Sequence, residues 1–122
     1  MKIYLAGPMR YCTTTEITEW RNLVKYNLKN FEFFDPSLKT KHKSSVKRDL
    51  YMIKKSDIVV ANCWKDSVGT SMEIIHSFFN FKVVIVICKE INISSWIEEH
   101  CHFIFETIEE FLSFMWSNHY DL

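Results

Sequence analysis

The sequence predicts an α/β fold of the flavodoxin- or Rossmann-like, doubly wound kind: five parallel strands in the order 2-1-3-4-5, with helices on both faces. Three observations lead there. Apolar runs of strand length alternate with segments of helical period along the chain. Two of those runs, Ile58-Val59-Val60-Ala61-Asn62 and Val83-Val84-Ile85-Val86-Ile87-Cys88, lack the polar alternation of a half-exposed strand, as expected of parallel strands covered on both sides. The chain also has only two glycines in 122 residues, and both fall where a doubly wound sheet places its ligand.

The elements follow in order. Lys2 to Ala6 is a short β-rich run stopped by Gly7-Pro8, the first strand. Thr13-x-x-Glu16 is a capping box, and Ile17, Trp20, Leu23, Val24 and Leu28 continue at helical spacing, predicting a helix over about 14–28. Phe31 to Phe34 is a second strand ended by Asp35-Pro36. A polar, Lys-rich stretch follows, and Val46, Leu50 and Ile53 predict a second helix ending near Lys55. The third strand, Asp57 to Asn62, leads into a helix whose apolar face is read as Met72, Ile75, Phe78 and Phe79. After the fourth strand, Lys82 to Cys88, a Ser95-x-x-Glu98 box opens a short helix. Phe103-Ile104-Phe105 is the fifth strand, and Thr107-x-x-Glu110 opens the last helix. One domain over 1–122 is expected.

Composition narrows the function. Apolar residues make up 48% and charged residues 25%, and fifteen basic side chains balance fifteen acidic ones. Disorder is excluded, and bulk charge argues for neither nucleic-acid nor membrane binding. No apolar run approaches the roughly 18 residues of a membrane span. Gly7-Pro8 and Arg10 interrupt the first apolar stretch before it could act as a signal sequence, so a cytoplasmic location is expected. Cys12, Cys63, Cys88 and Cys101 have no metal-like spacing and read as free thiols. His100 and His102 flank Cys101, but alternation along a strand separates them, so no metal is expected.

At the switch point between the first and third strands the topology gathers Tyr4, the loop Gly7-Pro8-Met9-Arg10, Asp49, and the segment Asp66-Ser67-Val68-Gly69-Thr70-Ser71-Met72-Glu73. Two carboxylates beside an amide-lined loop suit cleavage of a glycosidic bond in a nucleotide. One acid attacks or stabilises the anomeric carbon while the other serves the leaving group. On residues alone each position has a second reading. Glu73 completes a Thr70-x-x-Glu73 capping box, Asp49 lies among Lys47, Arg48 and Lys54 as a solvated charge would, Tyr4 fits a core, and Arg10 fits a surface loop. Gly7 and Gly69 are expected to permit positive φ or close approach to a ligand.

Tyr4-Leu5-Ala6-Gly7-Pro8-Met9, then Asp49 eight residues before Asp57-Ile58-Val59-Val60-Ala61-Asn62, then Ser67-x-Gly69-x-x-x-Glu73, resembles the nucleoside 2-deoxyribosyltransferase superfamily in order and spacing over about residues 1–90. The resemblance implies that Glu73 is the nucleophile at C1′, that Tyr4 orients it, and that Asp49 handles the leaving base. The position of Glu73 near the N-terminus of its helix implies that the helix dipole helps keep it ionised. Where relatives that use free nucleosides carry an aspartate, this chain has Ser67. A serine hydroxyl, the Gly69 amide and Arg10 suit a phosphate, so the pattern is closest to the branch that hydrolyses (deoxy)nucleoside 5′-monophosphates. Asp66, next to Ser67, would repel one if it faced the pocket.

The resemblance also implies a homodimer or higher homo-oligomer whose partner subunit closes the site, with Ser94, Ser95 or Trp96 as the closing group. Phe78, Phe79, Phe81, Phe111, Phe114 and Trp116 exceed the needs of one small core, in keeping with an interface. Lys39, Lys41, Lys43, Lys47 and Arg48 read as a solvated surface or a basic lid. No cofactor is implied. Rival functions are a base-exchanging transferase, a nucleotide-binding module without turnover, and a flavin carrier suggested by Thr13-Thr14-Thr15.

Overall fold

The computed structural model describes residues 1–38 and 46–117. Lys39, Lys41 and Lys43, three residues of the basic stretch, lie outside them. The elements run β1 (Lys2–Ala6), α1 (Thr14–Asn27), β2 (Glu32–Phe34), α2 (Val46–Lys54), β3 (Ile58–Asn62), α3 (Val68–Phe79), β4 (Val83–Ile87), a 3-10 turn (Glu90–Asn92), α4 (Ser95–Glu98), β5 (Phe103–Phe105) and α5 (Ile108–Ser117). The sheet is parallel throughout, in the order β2-β1-β3-β4-β5.

Inside the continuous apolar runs, the two-residue period of a strand still divides the core. Ile3, Leu5, Ile58, Val60, Ile85 and Ile87 face α1 and α5, where Trp20, Val24, Phe111, Leu112 and Met115 cover them. Tyr4, Ala6, Val59, Ala61, Val84 and Val86 face the other way, onto Ile53 of α2 and Ile74 of α3. Tyr4 and the helix that carries Glu73 therefore share one layer.

Three local expectations are corrected. Thr13 and Glu16 do form the capping box that starts α1, but α1 buries Trp20, Arg21 and Val24, and Leu23 is exposed. In α3 the inward face is Thr70, Ile74 and Ser77, with Phe78 half-buried, whereas Met72 and Phe79 are exposed. The apolar content of α3 is spread around the helix, so hydropathy alone could not pick its inner side. The cap of α4 is Ser94, whose hydroxyl accepts from the Ile97 amide, one residue before the expected Ser95.

Neither glycine has positive φ; among the described residues the left-handed ones are Tyr11 (φ 60°) and Phe81 (φ 63°). Gly7 is required by packing: a Cβ there would sit 2.7 Å from Trp20 Cζ2 and 3.3 Å from Arg21 Nη2. A Cβ on Gly69 would meet nothing within 4 Å, so space is open above it. Of the surplus aromatics, Phe111 is core and Phe114 packs against it, while Phe79, Phe81 and Trp116 are exposed. Cys63 and Cys88 are buried free thiols, and Cys12 and Cys101 are half-buried. Among the described residues no helix is long and apolar enough to cross a membrane, and no group of three or more His, Cys, Asp or Glu could hold a metal ion. His100 and His102 instead pack on Phe78, with ring centroids at 5.5 and 5.3 Å.

Candidate active site

β1 is an interior strand flanked by β2 and β3, and Tyr4 on it is fully buried, in register with Phe34 and Val59. Its ring fills the α2–α3 layer, and its hydroxyl reaches the one acid on the facing side of α3. Tyr4 donates a hydrogen bond to Glu73 Oε2 across 69 residues of sequence. That bond leaves Oε1 as the carboxylate oxygen not engaged by Tyr4.

Glu73 does not close a capping box. The cap of α3 is Ser67, whose Oγ accepts from the Thr70 amide at 3.3 Å and from the Thr70 hydroxyl at 3.1 Å. Glu73 therefore lies in the second turn, where the helix dipole has largely faded. Burial dominates instead and pushes the Glu73 carboxyl up to about 7 from its usual 4.5. The Tyr4 hydrogen bond and the Arg21 charge oppose the rise, and Asp49 adds to it. The expectation that the dipole keeps Glu73 ionised gives way to a group poised between its two forms at neutral pH. The phenol of Tyr4 is likewise driven well above its usual range, by burial first and then by Glu73 and Asp49.

Asp49 comes from the first turn of α2. Arg48 binds its Oδ1 through Nε and Nη2 at 3.3 and 3.2 Å, and Nη2 also donates to the Pro36 carbonyl at 2.9 Å. The ion pair is mostly shielded, so Asp49 is not the free solvated charge that its basic neighbours suggested. Its charge is felt by both Tyr4 and Glu73, which places the three groups in one electrostatic cluster.

The loops at the carboxyl edge complete the setting. Gly7 and Pro8 are buried, Met9 is half-buried and Arg10 is exposed. Arg10 stacks on Tyr11, 5.0 Å from the ring centroid, and Nη2 donates to the Tyr11 hydroxyl at 3.3 Å. Tyr11 is 86% exposed in a left-handed conformation, and Lys65 Nζ contacts its carbonyl at 3.5 Å, tying the β1–α1 loop to the β3–α3 loop. Ser67 accepts two bonds as a cap and keeps its own O–H to donate, and Gly69 beside it is open. Asp66 is exposed. Ser95 is exposed at the start of α4, and among the described residues no hydrogen bond joins it to Tyr4 or Glu73.

Sequence reasoning missed Arg21. It is fully buried and donates to the Leu5, Gly7 and Ile17 carbonyls. A signal existed: Arg21 stands four residues after Ile17 and three before Val24, inside the apolar stripe of its helix.

The five-stranded 2-1-3-4-5 sheet, which carries Tyr4 and Glu73 at its β1/β3 edge, has the fold seen in 2-deoxyribosyltransferase structures. In particular, the chain superposes on the 2-deoxyribosyltransferase of Bacillus psychrosaccharolyticus with a TM-score of 0.76 at 22% identity, over 97% of this chain and 95% of that one. It is also similar to the CMP N-glycosidase of Clostridium botulinum (TM-score 0.69, 18% identity, 97% and 99% covered). The 2-deoxyribosyltransferase of Leishmania mexicana matches alike (0.69, 16%, 97% and 98%). These likenesses establish the fold. No family model and no curated protein matches the chain.

Proposed function

We propose that this protein hydrolyses the N-glycosidic bond of a (deoxy)nucleoside 5′-monophosphate, releasing free base and (deoxy)ribose 5-phosphate. The observation that carries the reading is the half-buried Glu73 carboxyl held through Oε2 by Tyr4 in the field of Asp49. Ionised Glu73 attacks C1′ through Oε1, the C1′–N bond breaks with its electron pair going to the base, and Asp49 serves the base as it leaves. Water then cleaves the glycosyl ester, returning the Glu73 carboxylate. Tyr4 holds Glu73 in the attacking orientation throughout.

The phosphate is assigned to Ser67, the open Gly69 amide near the start of α3 and Arg10, with Gly7, Pro8 and Met9 forming the opposite wall. Asp66, exposed next to Ser67, belongs to the same loop and borders the phosphate site. The fold neighbours named for deoxyribosyl transfer and for CMP N-glycosidase chemistry support glycosidic-bond cleavage in general. Their presence together keeps base exchange as the second reading.

The reading includes a homodimer in the cytoplasm. Val68, Met72 and Phe79 line one exposed side of α3, and Phe79, His100 and Trp96 continue that surface onto α4 by ring contacts at 5.5 and 6.3 Å. A second copy covering this face would bring Ser95 to the partner's site.

The test is incubation with a panel of nucleosides and their 5′-monophosphates, with chromatography for free base. Release from monophosphates is the expected result. New nucleoside formed only when a second base is added would favour the transferase, and no release from any member would favour a binding module. Light scattering on a sizing column checks the dimer, which a monomer at micromolar concentration would exclude.

A further inference from the structure

Phe81, in the turn between α3 and β4, has a left-handed backbone at φ 63° and is 96% exposed. That conformation suits glycine or asparagine and is an outlier for a bulky residue, because the Cβ crowds the following carbonyl. So exposed a ring adds little packing in return. A strained turn that aims an aromatic ring into solvent points to a contact outside the chain.

The turn stands at the amino edge of the sheet among cations. Lys82 follows Phe81, and its Nζ donates to the Lys54 carbonyl at 2.9 Å, tying the turn to the end of α2. Lys54 and Lys55 are exposed there, and Lys55 Nζ lies over the ring of exposed Tyr51 at 5.7 Å. The neighbouring acid is Asp57, whose carbonyl accepts from the Val83 amide and whose Oδ2 accepts from the Lys2 amide at 2.9 Å. The surroundings of the ring are therefore net positive.

The carboxyl end of the same strand has the opposite character. Lys89, Glu90, Ile91 and Glu106 line a cavity of about 380 Å³, and Ile91 is 90% exposed. Glu106 follows β5, which pairs with β4, and its amide donates to Glu110 Oε2 at 3.2 Å, so a further carboxylate joins that edge. From Glu90 to Leu122 the chain has no Lys or Arg. Three acids thus outnumber Lys89 around an apolar hollow of a size that accepts an aromatic ring.

We propose that copies of this chain associate head to tail through the two ends of β4: Phe81 of one copy enters the cavity beside Ile91 of the next, with Lys82, Lys54 and Lys55 facing Glu90, Glu106 and Glu110. Opposite charge orients the encounter, and the ring supplies the apolar anchor. The contact joins unlike surfaces, so it propagates into chains or closes into rings, whereas a two-fold pairing over the exposed side of α3 stops at two copies. It lies away from the β1/β3 switch point, and it stands whether or not the protein cleaves a glycosidic bond.

The experiment measures weight-average mass by light scattering on the full-length protein, from about 10 μM to about 1 mM at about 0.02 M salt, where screening is weak. The mass is expected to keep climbing past two chains and to fall back when salt is raised to about 0.5 M. Phe81→Gly removes both the ring and the strain, so in dilute solution it should melt a few degrees higher, and on concentration its mass should level off at one or two chains. Phe81→Asn, which also suits a left-handed backbone, carries the same expectation for mass. Glu90→Lys combined with Glu106→Lys should level off as well. Phe81→Gly keeps the cavity end and the double variant keeps the ring end, so mixing the two should restore association that neither shows alone.

An unmodified protein whose mass levels off at one or two chains overturns the proposal, as does undiminished climbing by the Phe81 variants or by the double variant. A mixture that stays apart overturns it too, since loss at Phe81 that mixing does not restore would mean that like surfaces meet. Phe81→Gly melting no higher than the unmodified protein would remove the strain from which the inference starts.

Discussion

Replacing Glu73 by Gln should make this protein inactive and, at neutral pH and above, more stable. The carboxyl is raised from 4.5 to about 7, chiefly by burial. At 1.36 kcal/mol for each pH unit, that difference is worth up to about 3 kcal/mol. The folded state keeps the proton in a range where the unfolded chain has released it, so stability falls as pH climbs from about 4.5 to about 7 and levels off above. Glutamine cannot ionise, accepts the same Tyr4 hydrogen bond and escapes that loss. For a domain of this length the gain at pH 8 corresponds to roughly 10 °C in melting temperature, shrinking to nothing near pH 4. Base release should drop at least about a thousandfold, because an amide cannot form the glycosyl ester. Paired thermal melts at pH 4.5 and pH 8, with chromatographic assays at the higher pH, measure both effects. Normal turnover would refute the nucleophile, and an equal stability difference at both pH values would refute the cost assigned to burying the carboxylate.

Asp49→Asn should slow cleavage by about 10² to 10⁴ for bases that need protonation to leave and much less for good leaving groups. The same substitution removes a charge that raises Glu73, so the acid limb of the pH profile should move down; uniform slowing with an unmoved limb would assign Asp49 to structure. Ser67→Asp should penalise a monophosphate against its matched nucleoside by roughly 1 to 4 kcal/mol, the repulsion of two anions at protein-surface dielectrics, and Arg10→Ala should act in the same direction. Kinetics on one such pair check both, and equal use of nucleoside and monophosphate by the unmodified protein would remove the phosphate site. Gly7→Ala should cost about 1 to 3 kcal/mol through its clash with Trp20 Cζ2, whereas Gly69→Ala, with open space around it, should leave stability unchanged or raise it by up to about 1 kcal/mol; denaturant melts compare the two.

Periodicity and punctuation determined the layers of this protein. The unbroken apolar runs of β3 and β4 and the Gly7-Pro8 stop after β1 specify a buried parallel sheet and its switch point, because hydrophobic burial and backbone sterics act locally along the chain. That was enough to gather Tyr4, Asp49 and Glu73 at one edge. It could not say that Glu73 is bonded to Tyr4 instead of capping α3, because Thr70-x-x-Glu73 and Ser67-x-x-Thr70 are equally good caps on paper. The choice depends on which turn of α3 meets β1. Nor could local pattern rank the sides of α3, whose apolar residues are spread around the helix, or reveal that Arg21 in an apolar stripe is a fully buried cation. The state of Glu73 belongs to tertiary structure for the same reason: desolvation and the fields of Tyr4, Asp49 and Arg21 come from β1 and α2 packed beside α3 and from α1 across the sheet, groups far apart in sequence whose interactions exist only once the chain has folded.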